Sequence, residues 1–255
     1  MKLLPLLFGL SKAVDFAGIN ELWEAVTTSS NVNEDDRKIM ELFTLSAIGN
    51  YGCWCRFSSY HPYKGPTMDS VDGVCKQWYQ NYGCMSFDYT GCDADVQYND
   101  TMTQIIDPFN PTTDFIAQCA IRNPNDVCAA TACAVDAEFV RDIFNYMADN
   151  TLNMTLSGFY GFDGSDCVAR AAAASVDSSS TVAPFTVVTE PSNPGVAVTG
   201  MVPVDCCGEY PKRYSYKVNN GQRGCCVQNT YDMGLLECCS AVTGGTALIG
   251  ACPGP

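Results

Sequence analysis

The chain has 255 residues, of which 47% are hydrophobic and only 16% charged, a composition that suits a packed core and excludes a disordered chain. Its formal charge of −14 comes from 28 acidic and 14 basic residues, and it argues against nucleic acid, whose phosphates require clustered Lys and Arg. The same charge argues against electrostatic docking on anionic membranes. It suits solubility, weak diffuse calcium binding or basic partners.

The sixteen cysteines and the single histidine decide the class of protein. A Cys/His zinc site is nearly excluded, because His61 stands alone and no paired C-x-x-C repeat occurs. His61 lies in a loop rich in Tyr and Pro, which indicates an exposed histidine rather than a base. So many thiols are stable as disulfides outside the cytosol, so we expect all of them to be oxidised. They are Cys53, Cys55, Cys75, Cys84, Cys92, Cys119, Cys128, Cys133, Cys167, Cys206, Cys207, Cys225, Cys226, Cys238, Cys239 and Cys252.

The N-terminal residues 1–13, "MKLLPLLFGLSKA", have the pattern of a signal peptide. A basic Lys2 precedes a short apolar run and small residues near Ala13, although a buried first helix is the alternative. No later stretch has the length of a membrane-spanning helix. The triplets at Asn99 and Asn153 are candidate glycosylation sites. The sequence therefore predicts a secreted glycoprotein.

Residues 14–167 are expected to form helices joined by cysteine-tied loops. Residues 33–49 begin with acidic side chains and then repeat apolar residues at a spacing of four, and residues 134–150 do the same with Phe139 and Ile143. In residues 72–84, Cys75, Trp78 and Tyr82 form an apolar stripe with the preceding Val71. The Asp-, Asn-, Thr- and Pro-rich segment between Cys84 and Cys128 is predicted to be mostly loop.

The composition changes after Cys167. Residues 168–203 are rich in Ala, Ser, Thr and Pro, lack cysteine and predict a linker, although residues 185–188 could form an edge strand. Residues 204–255 contain seven cysteines, six of them in three CC pairs, which predicts a small β and loop module stabilised by disulfides. Within it, "NNG" at 219–221 predicts a turn between two short strands, "RYSYKV" and "CCVQN".

Three cysteine motifs of residues 33–167 resemble the secreted phospholipase A2 family, whose patterns are Y-G-C-Y-C-G, D-x-C-C-x-x-H-D-x-C-Y and C-x4-C-x-C-D. The matching stretches here are "NYGCWC", the run from Asp72 to Cys75, and "CAATACAVD". The resemblance implies a mainly α, disulfide-rich domain with two long antiparallel helices. The residues that match are Cys53, Cys55, Asp72, Cys75, Cys119, Cys128, Cys133 and Asp136.

The match fails at the catalytic and calcium-binding positions of the family. The family histidine falls on Trp78 and the calcium-binding aspartate on Tyr79, while residues 56–65 replace the glycine-rich calcium loop. Only Asp136 remains, which in the family orients the histidine. Indole cannot act as a general base, and a neutral phenol is a poor calcium ligand. We therefore expect no catalytic residue, no metal site and no cofactor, with Trp78 and Tyr79 filling a dismantled active site. The alternative is that they are ordinary core aromatics of an unrelated helical domain.

The cysteines that are missing from the family pattern support this register. Both members of two expected bridges are replaced together, Val74 with Ile143 and Asn81 with Val135. The resemblance implies the bridges Cys55–Cys75, Cys119–Cys133 and Cys53–Cys167, and it pairs Cys128 with Cys92 or, as the weaker alternative, Cys84. Nine cysteines up to Cys167 and seven after it leave one over on each side, so a bridge either joins the two modules or links two chains.

The three CC pairs of the C-terminal module resemble galaxin-like extracellular matrix proteins. We therefore expect an inactive, secreted structural or interaction component of a matrix or coat, associated with calcium or mineral through diffuse carboxylates. Its partners would be extracellular proteins or a matrix polymer, and it could form a disulfide-linked or non-covalent oligomer. The alternative is a lipid- or receptor-binding protein that keeps the family's hydrophobic channel, and a hydrolase with rearranged residues is the weakest hypothesis.

Overall fold

A computed structural model describes residues 17–28, 30, 32, 34–35, 48–56, 65–89, 91–92, 96, 98, 114–148, 152–167, 204–219, 221–239 and 245–252. Several predictions concern residues outside these ranges. They are the signal peptide, most of the helix at 33–49, His61, most of residues 56–65, Asn99 and the linker at 168–203.

Four α-helices form the first part of the described chain. They are α1 (Ala17–Thr28), α2 (Ser70–Asp88), α3 (Phe115–Arg122) and α4 (Val127–Ala148), and two short 3-10 helices follow at Met154–Leu156 and Gly158–Tyr160. Helix α2 contains the predicted segment 72–84. It begins after Asp69, whose side chain accepts a hydrogen bond from the amide of Asp72 at 2.9 Å, as a helix N-cap does.

Two helix predictions need correction. Helix α4 begins seven residues before the predicted 134, because Asp126 accepts a hydrogen bond from the Ala129 amide at 2.9 Å and starts the helix in an alanine-rich stretch. The segment predicted as mostly loop contains α3. There Asp114 caps the first turn by accepting from the amides of Ile116 and Ala117, at 3.0 and 3.1 Å. The N-cap at Asp114 starts a helix here although the surrounding segment has the polar composition of a loop.

The core lies between α2 and α4, with α1 and α3 packed on α4. The apolar stripe predicted for α2 is buried there and meets Val140, Ile143 and Met147 of α4 within one continuous hydrophobic cluster. Burial of this many apolar side chains is the main source of folding free energy for the helical part. The fold class is confirmed at this level, as a disulfide-rich helical part with two packed helices and a β module.

A short hairpin precedes α2 and is fixed to it. Strands β1 (Asn50–Tyr51) and β2 (Cys55–Arg56) are antiparallel, with Tyr51 opposite Cys55. Gly52 adopts a φ of 57° in the turn between them and donates its amide to the carbonyl of Leu156 at 2.9 Å. The hairpin therefore joins the start of α2 to the segment after α4.

The C-terminal module consists of three antiparallel hairpins. Strand β3 (Val204–Cys207) pairs with β4 (Tyr214–Lys217), β5 (Arg223–Cys226) with β6 (Asn229–Asp232), and β7 (Leu236–Cys238) with β8 (Thr246–Leu248).

The turn predicted at "NNG" lies between two strands, β4 and β5, whose partners are β3 and β6. Strand β5 turns back immediately through Val227 and Gln228, with Val227 at a φ of 56°.

All sixteen cysteines form eight disulfides within the chain. The structure contains the three bridges that the resemblance implied and resolves the open choice in favour of Cys92–Cys128. In the C-terminal module, the second cysteine of each CC pair bonds to the next cysteine along the chain. These bridges are Cys207–Cys225, Cys226–Cys238 and Cys239–Cys252. No cysteine is left for a bridge between chains unless one of these is exchanged.

The remaining bridge, Cys84–Cys206, joins the helical part to the C-terminal module. Around it, the guanidinium of Arg213 donates two hydrogen bonds to the carboxylate of Asp88, at 2.5 and 3.0 Å. Gln77 of α2 donates its side-chain amide to the carbonyl of Arg213 at 2.8 Å. The two modules are therefore held against each other by covalent and polar contacts, rather than being connected only through residues 168–203.

Within the described part of the chain, no helix is both long and apolar enough to cross a membrane.

Candidate functional site

Helices α2 and α4 place the residues of the expected active-site position inside the core. Trp78 belongs to the apolar stripe of α2 and is 1% exposed, and Asp136 of α4 is also 1% exposed. Tyr79, one residue further along α2, is half-buried at the edge of the cluster, since a helix turns about 100° per residue. The structure thus brings Trp78 and Asp136 together, with Tyr79 beside the indole.

The Asp136 carboxylate accepts three hydrogen bonds from aromatic side chains. The indole N–H of Trp78 and the hydroxyl of Tyr82 both donate to Oδ1, at 2.8 and 2.9 Å. The hydroxyl of Tyr98 donates to Oδ2 at 2.9 Å. A buried carboxylate is costly unless hydrogen bonds compensate it, and here three buried donors surround the acid.

Aromatic rings occupy the space around this carboxylate. The Trp78 ring lies edge-on to Tyr79 and to Tyr82, each with centroids 5.0 Å apart, and 5.6 Å from Phe139. These separations are those of favourable aromatic pairs in packed interiors. Chemically, the arrangement offers hydrogen-bond donors to a carboxylate, and neither the indole of Trp78 nor the phenol of Tyr82 can accept a proton from water near neutral pH.

Asp72 holds the segments that flank the start of α2. Its carboxylate accepts from the amides of Trp54 and Met68, at 2.6 and 2.9 Å, and it is fully buried. Burial raises the pKa of the Asp72 carboxyl, and these amide donors partly offset the increase. Asp72 therefore acts as an internal acceptor that fixes the hairpin. Residues 56–65, which replace the family's calcium loop in the sequence, lie mostly outside the described residues.

A second polar cluster joins α4 to the C-terminal module. Lys212 lies 2.9 Å from Glu138 Oε1 and 3.9 Å from Asp142 Oδ2, and Arg141 also pairs with Glu138. Burial, followed by the charge of Glu138, raises the pKa of Asp142, whereas the hydrogen bond to Glu138 raises the pKa of Lys212. This cluster could not be predicted from the sequence, because Lys212 lies about seventy residues after Glu138 and Asp142.

None of the three donors to Asp136 was assigned this role from the sequence, which predicted only that Trp78 fills the space. Tyr82 could have been found, because it lies one turn after Trp78 on the same stripe. Tyr98 could not, because it lies in a segment without periodicity and is 38 residues from Asp136 in the sequence. Among the residues that the structure describes, no group of three His, Cys, Asp or Glu side chains is arranged to hold a metal ion.

The candidate glycosylation site at Asn153 lies on the surface. Asn153 is exposed, and its side-chain oxygen accepts hydrogen bonds from the amide and the hydroxyl of Thr155, at 3.2 and 2.8 Å. The two residues that a glycosylation triplet requires are therefore adjacent and accessible.

Comparison of the chain with protein-family models, with curated proteins and with solved structures returns no match.

Proposed function

We propose that this protein is a secreted, catalytically inactive protein with a phospholipase A2-like helical domain, acting as a structural or interaction component of an extracellular matrix or coat. The observation that carries the proposal is the hydrogen bond from the Trp78 indole to Asp136. At the position where the resemblance puts the catalytic histidine, a tryptophan makes the contact with the remaining acid and adds ring packing. The acid then contributes to the stability of the core.

The loss of activity follows from what each remaining group can do. Phospholipid hydrolysis of the family's kind requires a base that activates water and a calcium ion that stabilises the developing negative charge. Trp78 cannot accept a proton near neutral pH, and Tyr79 does not supply the carboxylate that calcium prefers. Since the base and the metal act together, the absence of either removes most of the rate.

Two further features support a structural role. Eight disulfides are typical of proteins that function in an oxidising compartment outside the cytosol. The bridge Cys84–Cys206 and the Arg213–Asp88 pair combine the two modules into one stiff unit. A stiff, cross-linked and acidic unit suits assembly with basic proteins, or with mineral surfaces through diffuse calcium binding.

A receptor-binding function is the alternative that a specific observation favours. Four apolar side chains are 49–66% exposed: Met233 and Leu235 between β6 and β7, and Leu248 and Ile249 at the end of β8. The two pairs are neighbours, because Ile249 donates its amide to the carbonyl of Leu235. Exposed apolar side chains in such a group often mark a protein contact. A retained lipid channel has less support, because the rings of Trp78, Tyr82 and Phe139 fill the space next to Asp136.

The experiment has two parts that separate these possibilities. Fatty-acid release from mixed phospholipid micelles is measured with and without calcium, using the disulfide-bonded protein and a heat-killed control. We expect no calcium-dependent turnover, and its appearance would overturn the inactive assignment. Extraction from the native tissue is then compared with and without denaturant and reductant. A matrix component requires one of them, whereas a freely soluble protein would favour the receptor-binding alternative.

A further inference from the structure

A polar cleft of ≈ 800 Å³ lies where the two modules meet. The first half of α2 with the loop before it forms one wall, α4 forms the second, and Lys212 of the C-terminal module closes the third. Its volume falls within the range of about 300–1,000 Å³ that is common for ligand sites. The lining residues are Thr67, Asp69, Ser70, Gly73, Val74, Gln77, Asp142, Asn145, Tyr146 and Lys212.

The cleft is distinct from the Asp136 cluster. Trp78 and Tyr82 lie on the buried stripe of α2, whereas Ser70, Gly73 and Gln77 lie on another face of the same helix. A change in the cleft therefore need not disturb the aromatic core. Conversely, the packing of Trp78 in the core does not explain why the cleft is open.

Gly73 is one of the residues that line the cleft. It is in the interior of α2, where glycine destabilises a helix relative to alanine, and a Cβ atom added there would meet no atom within 4 Å. Packing therefore does not explain the glycine. Its effect is to leave the α2 backbone open to close approach by a molecule in the cleft.

Each charged side chain that lines the cleft has a partner within the protein. Lys212 lies between Glu138 and Asp142, at 2.9 and 3.9 Å. Asp69 accepts hydrogen bonds from the amide of Asp72 and the hydroxyl of Tyr51. Because both signs are present and each is paired, neither a strongly anionic nor a strongly cationic ligand has a clear advantage. The remaining polar groups are neutral.

We propose that this cleft binds a segment of a neutral polysaccharide. The hydroxyls of Thr67 and Ser70 and the exposed amide of Asn145 both donate and accept hydrogen bonds, which suits a ligand covered with hydroxyl groups. The half-buried ring of Tyr146 adds an apolar surface suited to the C–H face of a sugar ring. The inference names a polymer for the proposed matrix role and rests on that role for its extracellular setting.

The test uses the full disulfide-bonded chain and a panel of neutral tetra- to hexasaccharides built from glucose, galactose, mannose or N-acetylglucosamine. Binding is followed by saturation-transfer NMR and titration calorimetry. The blocking variant is Gly73→Leu, which fills the cleft with a good helix former. The matched control is Gly83→Leu, because Gly83 is also in the interior of α2 and its added Cβ also meets nothing within 4 Å. We expect at least one oligosaccharide to bind, Gly73→Leu to weaken it by about tenfold or more, and Gly83→Leu to leave it within about twofold.

A second blocking variant, Asn145→Arg, places a large side chain in the cleft from the exposed position 145 of α4. It keeps the proposal testable if Gly73→Leu is not secreted. It should weaken the same oligosaccharide. The proposal is overturned if no neutral oligosaccharide binds, if only a sulfated oligosaccharide or a phosphocholine vesicle binds, or if blocking and control variants bind equally. None of these results bears on the phospholipid assay or on tissue extraction, so failure of this inference is distinguishable from failure of the proposed function.

Discussion

At the scale of single residues, Asp136 is held by side chains from several directions. Its carboxylate is 1% exposed and accepts from Trp78, Tyr82 and Tyr98. Hydrogen bonds to a charged group contribute more than those between neutral groups, and a buried carboxylate that loses one is left undersatisfied. The identity of the residue at position 78 should therefore affect stability through its N–H as well as through its volume.

Trp78→Phe tests the contribution of the indole N–H. We expect a loss of about 1.5–3 kcal/mol from the missing hydrogen bond to Asp136, with a further loss from the smaller ring. Thermal unfolding of the disulfide-bonded protein measures the change. The control is Tyr79→Phe on the same helix, which keeps the ring beside Trp78 and should cost clearly less. Equal losses in the two variants would mean that the indole donor contributes little.

Gly52→Ala tests the close approach between the hairpin and α2. Gly52 has a φ of 57°, and an added Cβ would lie 2.6 Å from the Asp72 carboxylate. We expect a loss of about 1–2 kcal/mol from the backbone conformation and about 1–3 kcal/mol more from the clash. Gly91→Ala is the matched control, because Gly91 also has a positive φ, of 91°, and its added Cβ meets nothing within 4 Å. If Gly91→Ala were the more destabilising of the two, the contact with Asp72 would not be the cause.

At the scale of elements, the success of prediction depended on whether the signal was local. Helix α2 could be predicted because its apolar stripe repeats with the helical period, and the four bridges proposed for the helical part lie where the cysteine register put them. The pairing of β4 could not be predicted, because its partner β3 precedes it. The bridge Cys207–Cys225 then connects this hairpin to the next one. The contact of Tyr98 with Asp136 could not be predicted either, since the two residues are 38 positions apart in the sequence.

Arg213→Ala tests how firmly strand β4 is docked on α2. The Cys84–Cys206 bridge is buried, with Cys84 at 0% and Cys206 at 8% exposure, so a reductant reaches it only when this interface opens. Loss of the paired hydrogen bonds to Asp88 should favour opening by about 1–2 kcal/mol, which is about 5–30-fold in rate of reduction. Alkylation after brief exposure to dilute dithiothreitol, followed by mass spectrometry, gives that rate.

The control for this change is Arg223→Ala in strand β5. Arg223 is an exposed arginine of the same module, and its guanidinium donates to the Thr230 hydroxyl in the paired strand β6. Its removal should leave the rate at which Cys84–Cys206 is reduced unchanged. A comparable acceleration in both variants would indicate that the whole module had loosened and that the Arg213–Asp88 contact has no special role.

At the scale of the whole molecule, the parity of the cysteines explains why the two modules behave as one body. Each part has an odd number of cysteines, and a single bridge between the parts pairs the cysteine that is left over on each side. Gln77 and Gln80 of α2 donate to carbonyls of Arg213 and Ser215, which adds backbone contacts beside the bridge. A cleft that takes its third wall from Lys212 can therefore keep its shape only while the modules stay together.

Limited proteolysis tests this arrangement in the intact protein. The composition of residues 169–200 predicts the first cut there, because that stretch lacks cysteine and periodic apolar residues. The Cys84–Cys206 bridge should hold the two fragments together in denaturing gels without reductant and release them after reduction. In a Cys84→Ala/Cys206→Ala variant, the fragments should separate in denaturant without any reductant, which controls for entanglement or aggregation. Two fragments from the unreduced wild type would show that the bridge does not form, and a first cut within residues 33–150 would contradict the domain boundaries.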